Sequence, residues 1–400
     1  MIYYNRITDA YEDSLRAHHS DIDIYIRPLD HWENAIGEIK ADIIRENSSL
    51  VINKGNGARR STGISLVPKD IYRPNKNSYF WYNRKFLIIA DHKVGDNHYT
   101  FPLGVFLCSS AQEESSRLTL SGVDKFANLS GESNVGKVTE PFSTDISAGT
   151  IYIGDLVREL LLKDIGNGLP IDPITPLIDP FFNTCPLYAD VTLSVGQYYG
   201  ELITQLAEMY GADVYYNASG QLVFRRKPTY NQPSWFMHMG YLWRYKDSDE
   251  TVLSQSQTTV TNFDGINCVT VSTDNSDGTV YSYTAKNKNA ESPVNVRAIG
   301  ERYPSNPISY ISLGDTTRET GEEKCKQYAE YLLMQKTRNT VTENFGSILI
   351  PHFDVDKVIR YKNEDYLIDS LTLDLSNRQM TVGASNVTFL PSNWSLNSYE

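Results

Sequence analysis

The chain has 400 residues and a mass of 45.3 kDa, and its 49 acidic residues against 37 basic ones give a formal charge of −12. That length exceeds one ordinary core and calls for roughly two to four domains, while the acidic balance excludes a protein that grips nucleic acid by neutralising phosphates. No apolar run approaches the ~20 residues of a membrane helix, and the opening MIYYNRITDAYEDS lacks the basic and apolar regions of a signal peptide.

Residues 1 to 20 are polar, with Arg16, His18 and His19, and read as an N-terminal arm ahead of a strand from Ile22 to Ile26. Strand patterns then dominate a first domain over 21–145: around Ile36 to Ile44, Leu50 to Ile52, Ile64 to Val67, Tyr79 to Ile89, Tyr99 to Cys108 and Leu118 to Val123, separated by Gly, Asn and Asp clusters. The period changes at Ile153, Leu156, Val157, Leu160 and Leu161, whose spacing predicts an amphipathic helix over 153–164, stopped at Gly166-Asn167-Gly168. Prolines at 170, 173, 176, 180 and 186 make the next segment an extended connection.

A second helix is punctuated by a capping box at Ser194 and Gln197 and by Gly211 at its end, with Tyr199, Leu202, Ile203, Leu206 and Tyr210 on one face. A hairpin from Asp213 to Tyr216 and Gln221 to Phe224 follows, so that 146–245 reads as a small α/β insert with an aromatic linker at Trp235, Phe236, Tyr241, Trp243 and Tyr245. Strands return over 246–400, from Thr258 to Phe263, Cys268 to Ser272 and Val280 to Ala285. A third helix spans 318 to 337, with Thr320 and Glu323 in capping-box register and Cys325, Tyr328, Ala329, Leu332 and Leu333 as its buried stripe. Residues 340 to 388 close the chain as four short strands, with turns at Pro351 to Asp354, Lys362-Asn363 and Ser376-Asn377 and alternating apolar residues from Val355 to Val382.

This closing phrase has a fainter counterpart. Residues 106–126 align with 366–389, placing Phe106 on Tyr366, Leu107 on Leu367, Ser110 on Ser370, Arg117 on Arg378 and Thr119 on Thr381. The run Trp81, Arg84 to Ile89, Gly95-Asp96-Asn97, Phe101 to Phe106 and Leu118 to Asp124 resembles the N-terminal part of tail hub proteins of tailed bacteriophages. Pro351 to Ile359 with Tyr366 to Leu375 resembles their last barrel. The resemblance implies a mainly β chain of two tail-tube-like β-barrels, at 21–145 and 246–400, around the α/β insert. It implies a homotrimer whose pseudo-sixfold ring joins the tail tube or a distal tail protein to a central spike, fibre or tail lysin. DNA passes through such a ring without tight binding. It further implies assembly in the host cytoplasm and a place in the virion tail. The chain departs from larger relatives by ending near residue 400, soon after the last barrel, and the expectation is that no peptidase, lysozyme or fibre domain is attached.

Candidate chemistry is sparse. Gly55 to Thr62, GNGARRST, lacks the spacing that wraps amides around a phosphate and reads as a hairpin loop. His352, Asp354 and Asp356 alternate as a strand-borne metal site would begin, but they sit at a turn with no second histidine near in sequence. His18-His19 with Asp21 and Asp23 suit a polar arm as well as a base and its orienter. Glu113-Glu114 read as a solvated hairpin tip rather than half of a glycosidase pair. Arg225-Arg226-Lys227 read as an exposed strand end, and the aromatic linker as a bridge between domains rather than a sugar platform. The four cysteines, 108, 185, 268 and 325, form no CxxC pair and read as free, buried thiols. No catalytic, cofactor or metal residue is assigned, and the expectation is a non-enzymatic structural protein. A carbohydrate-binding receptor protein and a wall-degrading tail enzyme are the alternatives.

Overall fold

The computed structural model describes residues 7–386 apart from 18–20, 41, 44–47, 56, 74, 76–77, 82–83, 115, 227–241, 246–250, 255–256, 261–264, 274, 276, 291, 293, 312–317 and 339–340. Among the described residues the strands are β1 Asp21–Leu29, β2 Ser49–Asn53, β3 Arg60–Leu66, β4 Lys85–Val94, β5 Asn97–Glu114, β6 Arg117–Asp124, β7 Phe142–Ser143, β8 Leu177–Ile178, β9 Thr192–Leu193, β10 Ala212–Tyr216, β11 Leu222–Arg226, β12 Trp243–Arg244, β13 Gln257–Val260, β14 Cys268–Thr273, β15 Ser282–Lys286, β16 Ile308–Ile311, β17 Val341–Ile348, β18 Val358–Tyr361, β19 Glu364–Asp374 and β20 Gln379–Asn386. The helices are α1 Asp9–Arg16, α2 Ala127–Ser130, α3 Ile153–Leu161, α4 Tyr199–Met209, α5 Val296–Ile299 and α6 Arg318–Arg338.

Twelve strands form one sheet in the order β1-β4-β5-β6-β3-β2-β19-β20-β17-β13, with β12 and β18 attached beside β19. The described strands therefore do not close into two separate barrels. The edge of the first half, β2, bonds to β19 from Asn53 against Ser370 to Ser49 against Asp374, and the ladder runs on. β19 is long enough to serve two partners on one side, β18 along Glu364 to Leu367 and β2 along Ser370 to Asp374. Buried residues of both halves, including Ile64, Phe86, Phe106, Phe345, Ile368 and Val382, form one apolar cluster.

The alignment between the halves is borne out by register. Cys108 faces Gly122, Ser110 faces Ser121, Ala111 faces Leu120 and Gln112 faces Thr119. Correspondingly, Ile368 faces Ala384, Ser370 faces Gly383, Leu371 faces Val382 and Thr372 faces Thr381. Both ladders shift register at the same step, between Cys108 and Ser110 and between Ile368 and Ser370, and such bulges bend a strand and raise its twist. Each half also repeats its neighbours in order, β4-β5-β6-β3-β2 against β18-β19-β20-β17-β13. Arg117 is the exception to the alignment: it opposes Glu114 in its ladder, whereas Arg378 lies in the longer β19–β20 turn with a φ of 57°.

A second apolar cluster runs from Phe126 to Phe224 and packs α3 and α4 beside the β10-β11-β8 sheet. A third packs Cys325, Ala329 and Leu333 of α6 on Val269, Val271 and Ala285 of the β15-β14-β16 sheet. Several local expectations shift. Ser194 and Gln197 form a turn ahead of α4, whose N-cap is Tyr198: the Ser194 N–H donates to Gln197 Oε1 as in a capping box, but the helix begins only at Tyr199. Helix α6 begins at Arg318, ahead of the expected Thr320 cap. The described residues expected as a strand from Ile36 to Ile44 meet the sheet through isolated contacts: the Ile36 N–H donates to the Pro28 carbonyl, and Ile39 and Ile43 form single bridges with Ile26 and Leu66. The strand expected from Tyr79 starts at Lys85, because the preceding loop is tied elsewhere. Lys69 and Tyr72 donate to Asp42 at 2.6 and 2.5 Å.

Candidate functional site

The sequence motifs converge where the two halves meet the insert. Arg59 and Arg60, read as loop residues, stand just before and at the start of β3 with side chains 3% and 2% exposed. Arg59 donates to Asp356 Oδ2 at 2.9 Å and to the Gly55 carbonyl at 2.6 Å, and its guanidinium lies 3.4 Å from the Tyr215 ring centroid. Arg60 donates to Asp354 Oδ1 and to the Tyr216 carbonyl, each at 2.6 Å. Arg225, at the end of β11, donates to Asp356 at 3.0 Å, and Lys54 stands 3.6 Å from Asp356 and 3.5 Å from Asp369. Asp356 thus joins cations from the first half and the insert hairpin to the second half. Its backbone holds a left-handed φ of 61°, uncommon for a side chain other than Gly, Asn or Asp. Burial pushes its carboxyl up, but Arg59, Lys54 and Arg225 outweigh burial and hold it below the ordinary 3.8.

A second buried cluster lies at the same junction. Lys125 Nζ, in a side chain 1% exposed, contacts Glu33 and donates to Asp172 Oδ1 at 3.0 Å and to the Gly220 carbonyl at 2.7 Å. Lys85 reaches Glu33 at 3.0 Å and the His31 carbonyl at 2.9 Å. Glu33 is aimed inward by the tight turn from Asp30 to Asn34, where its φ is 65°. Gly220, with a φ of 75°, closes the β10–β11 hairpin against Val105, so the insert's tip is held by the first half. Sequence reasoning missed this cluster. The available signal was two lysines, Lys85 beside Phe86 and Lys125 beside Phe126, and an aspartate, Asp172, between two prolines, charges placed where the pattern demands burial.

The remaining candidates scatter. His352 points away from Asp354 and Asp356 into an aromatic pocket of Tyr11, Phe101, Trp243 and Phe353, so the three make no shared ligand set. Glu113 is bound through both oxygens by Arg73, and Glu114 by Arg117. Arg226 pairs with Asp179 at 2.9 Å. Trp243 and Tyr245 are buried, and the short strand that carries Trp243 pairs with β18. His18, His19, Lys227, Trp235, Phe236 and Tyr241 lie outside the described residues. Among the described residues no group of three or more His, Cys, Asp or Glu side chains converges as a metal site requires. All four cysteines are free and buried, and burial raises every one of the thiols, Cys108 to about 11, which removes thiolate character. An open groove of about 1000 Å³ is lined by Ser48, Ser49, Gly346, Thr372, Asn377 and Thr381 among others. The carboxylate in its wall, Asp374, accepts from the Ser376 and Asn377 amides. The chemistry available at the junction is ion pairing between modules.

No protein-family model matches the sequence, and no curated sequence does. Solved structures do. The tail protein from Neisseria meningitidis MC58 superposes with a TM-score of 0.54 at 10% identity, over 91% of this chain and 96% of that one. The prophage MuSo2 43 kDa tail protein from Shewanella oneidensis gives 0.52 at 11% identity, over 91% and 98%. Prophage tail protein gp18 from Listeria monocytogenes EGD-e gives 0.51 at 12% identity, over 91% and 94%. The chain has a phage tail-protein fold. The likeness to tail hub proteins read from residues 81–124 and 351–375 therefore holds at the level of fold. Because the superpositions span nearly the whole of each chain, both halves of the sheet and the units between them belong to this tail-protein fold.

Proposed function

We propose that this chain is a non-enzymatic structural protein of a phage tail, the hub of its tip or baseplate. Three copies form a ring, and each supplies two similar β modules to it, so the ring offers six related positions to the tail tube and threefold symmetry to a central spike, fibre or lysin. The observation that carries the reading is the shared register of β5–β6 and β19–β20, with the bulge at the same step. Two equivalent modules per chain are what a threefold ring needs to meet a sixfold partner. The buried ion clusters support a mechanical role, since they tie both halves and the insert together. Arginine suits such buried pairing because its planar fork stays charged. The channel of the ring passes DNA without gripping it, in keeping with the −12 charge.

A tag on this chain in tailed particles tests the reading. Label confined to the distal end of the tail is expected; label along the shaft or on the capsid would overturn it.

A further inference from the structure

We propose that α1 is a releasable strap: docked at neutral pH across the seam between the two halves, it lets go when His352 takes up a proton. The helix is built for docking. Thr8 caps it through Tyr11 N, and Tyr11 and Leu15, one turn apart, are 0% and 1% exposed. Its polar contacts reach both halves. Tyr11 Oη lies 2.9 Å from His352 Nδ1, Ser14 Oγ lies 2.7 Å from His92 Nε2 on β4, and Arg16 donates to the Arg244 carbonyl at 2.9 Å while covering the Trp243 ring.

Tyr11 is the lid over His352. Its ring sits 5.5 Å from the imidazole, and Phe101, Trp243 and Phe353 complete the enclosure. Nε2 of His352 faces the Leu242 carbonyl at 3.4 Å, so the neutral ring donates there and accepts from the Tyr11 hydroxyl. Charged groups on the surrounding elements are turned elsewhere: Asp354 is bound to Arg60, Arg16 lies over Trp243, and Glu12 acts on Tyr11. Among the described residues the influences on His352 are burial, which lowers its pKa to about 4, and the Leu242 carbonyl, which opposes that. A proton on this ring is uncompensated while Tyr11 is in place and becomes solvated once α1 leaves. Below the ordinary 6.5, each pH unit then favours release by up to about tenfold. His92 is not the trigger. Burial lowers its pKa as well, but the Asp21 carbonyl at 3.2 Å and the Asp21 and Asp91 carboxylates oppose burial, so a proton there meets nearby negative charge that His352 lacks.

Amide hydrogen exchange of the full chain between pH 7 and 5, corrected for intrinsic rates, tests this. Protection of residues 9–16 is expected to fall with pH while β19 and β20 stay protected, the slope vanishing in His352→Gln and persisting in His92→Gln. Equal slopes in wild type and His352→Gln, a slope lost only in His92→Gln, or simultaneous loss across β19 and β20 would overturn it. The ring titration of His352 in the wild-type chain decides the matter without variants. A midpoint well below 6.5 that coincides with α1 exposure is expected, and a midpoint at or above 6.5 with α1 still protected contradicts the strap.

Discussion

Arg59 donates to Asp356 at 2.9 Å across 297 residues of sequence, one of the buried ion pairs, with Arg60 to Asp354, that tie the two halves of the sheet together at their junction with the insert. Breaking a buried pair by removing one partner costs about 3–5 kcal/mol, because the remaining charge is stranded. Asp356→Asn is expected to destabilise by that order, since Arg59, Arg225 and Lys54 all converge on the carboxylate. Denaturant unfolding of the two proteins measures it, and a change under 1 kcal/mol would contradict it.

The same carboxylate gives a pH prediction. Its folded pKa is held below the unfolded 3.8, so its contribution is fully present above that value and is lost as pH falls through the folded pKa. Wild type is therefore expected to lose stability below about pH 4 more steeply than Asp356→Asn. Parallel acid-unfolding curves would refute this.

Lys125 anchors the second cluster. Lys125→Met strands Glu33 and Asp172 with Lys85 as the nearby cation and is expected to cost about 3–5 kcal/mol. Adding Asp172→Leu is expected to recover part of the loss, a coupling that a double-mutant cycle reads directly. Additive losses would mean that the two residues do not interact.

Helix α4 crosses α2 at Gly200, where a Cβ would fall on the backbone carbonyl of Leu129. Backbone cannot step aside as a flexible side chain can, so Gly200→Ala is expected to destabilise by roughly 1–3 kcal/mol, against the ordinary gain of alanine in a helix. A stabilised variant would contradict so close a crossing.

Legibility followed the range of the interactions. The alternation from Val355 to Val382 and the match of Thr119 to Thr381 were readable because strand period and hairpin register are local. That the two modules share one sheet was not, since the β2–β19 seam depends on pairing between Ser49 and Asp374, and either edge alone looks like any other. Arg59 and Arg60 looked like a solvated loop for the same reason. Their neighbours are Ala58 and Ser61, but the carboxylates that pair with them lie at 354 and 356. Helix α1 was hidden by its short length: Tyr11 and Leu15 are a single apolar step in a polar segment, and the groove that rewards it is built by residues as distant as His352.

The most direct measurement is the copy number and symmetry of this chain in averaged images of an assembled tail tip. Three copies in a ring are expected, with the β4–β5–β6 and β18–β19–β20 modules of each chain overlaying by rotation about the tail axis. Six equal copies, or three copies whose two modules do not overlay, would contradict it.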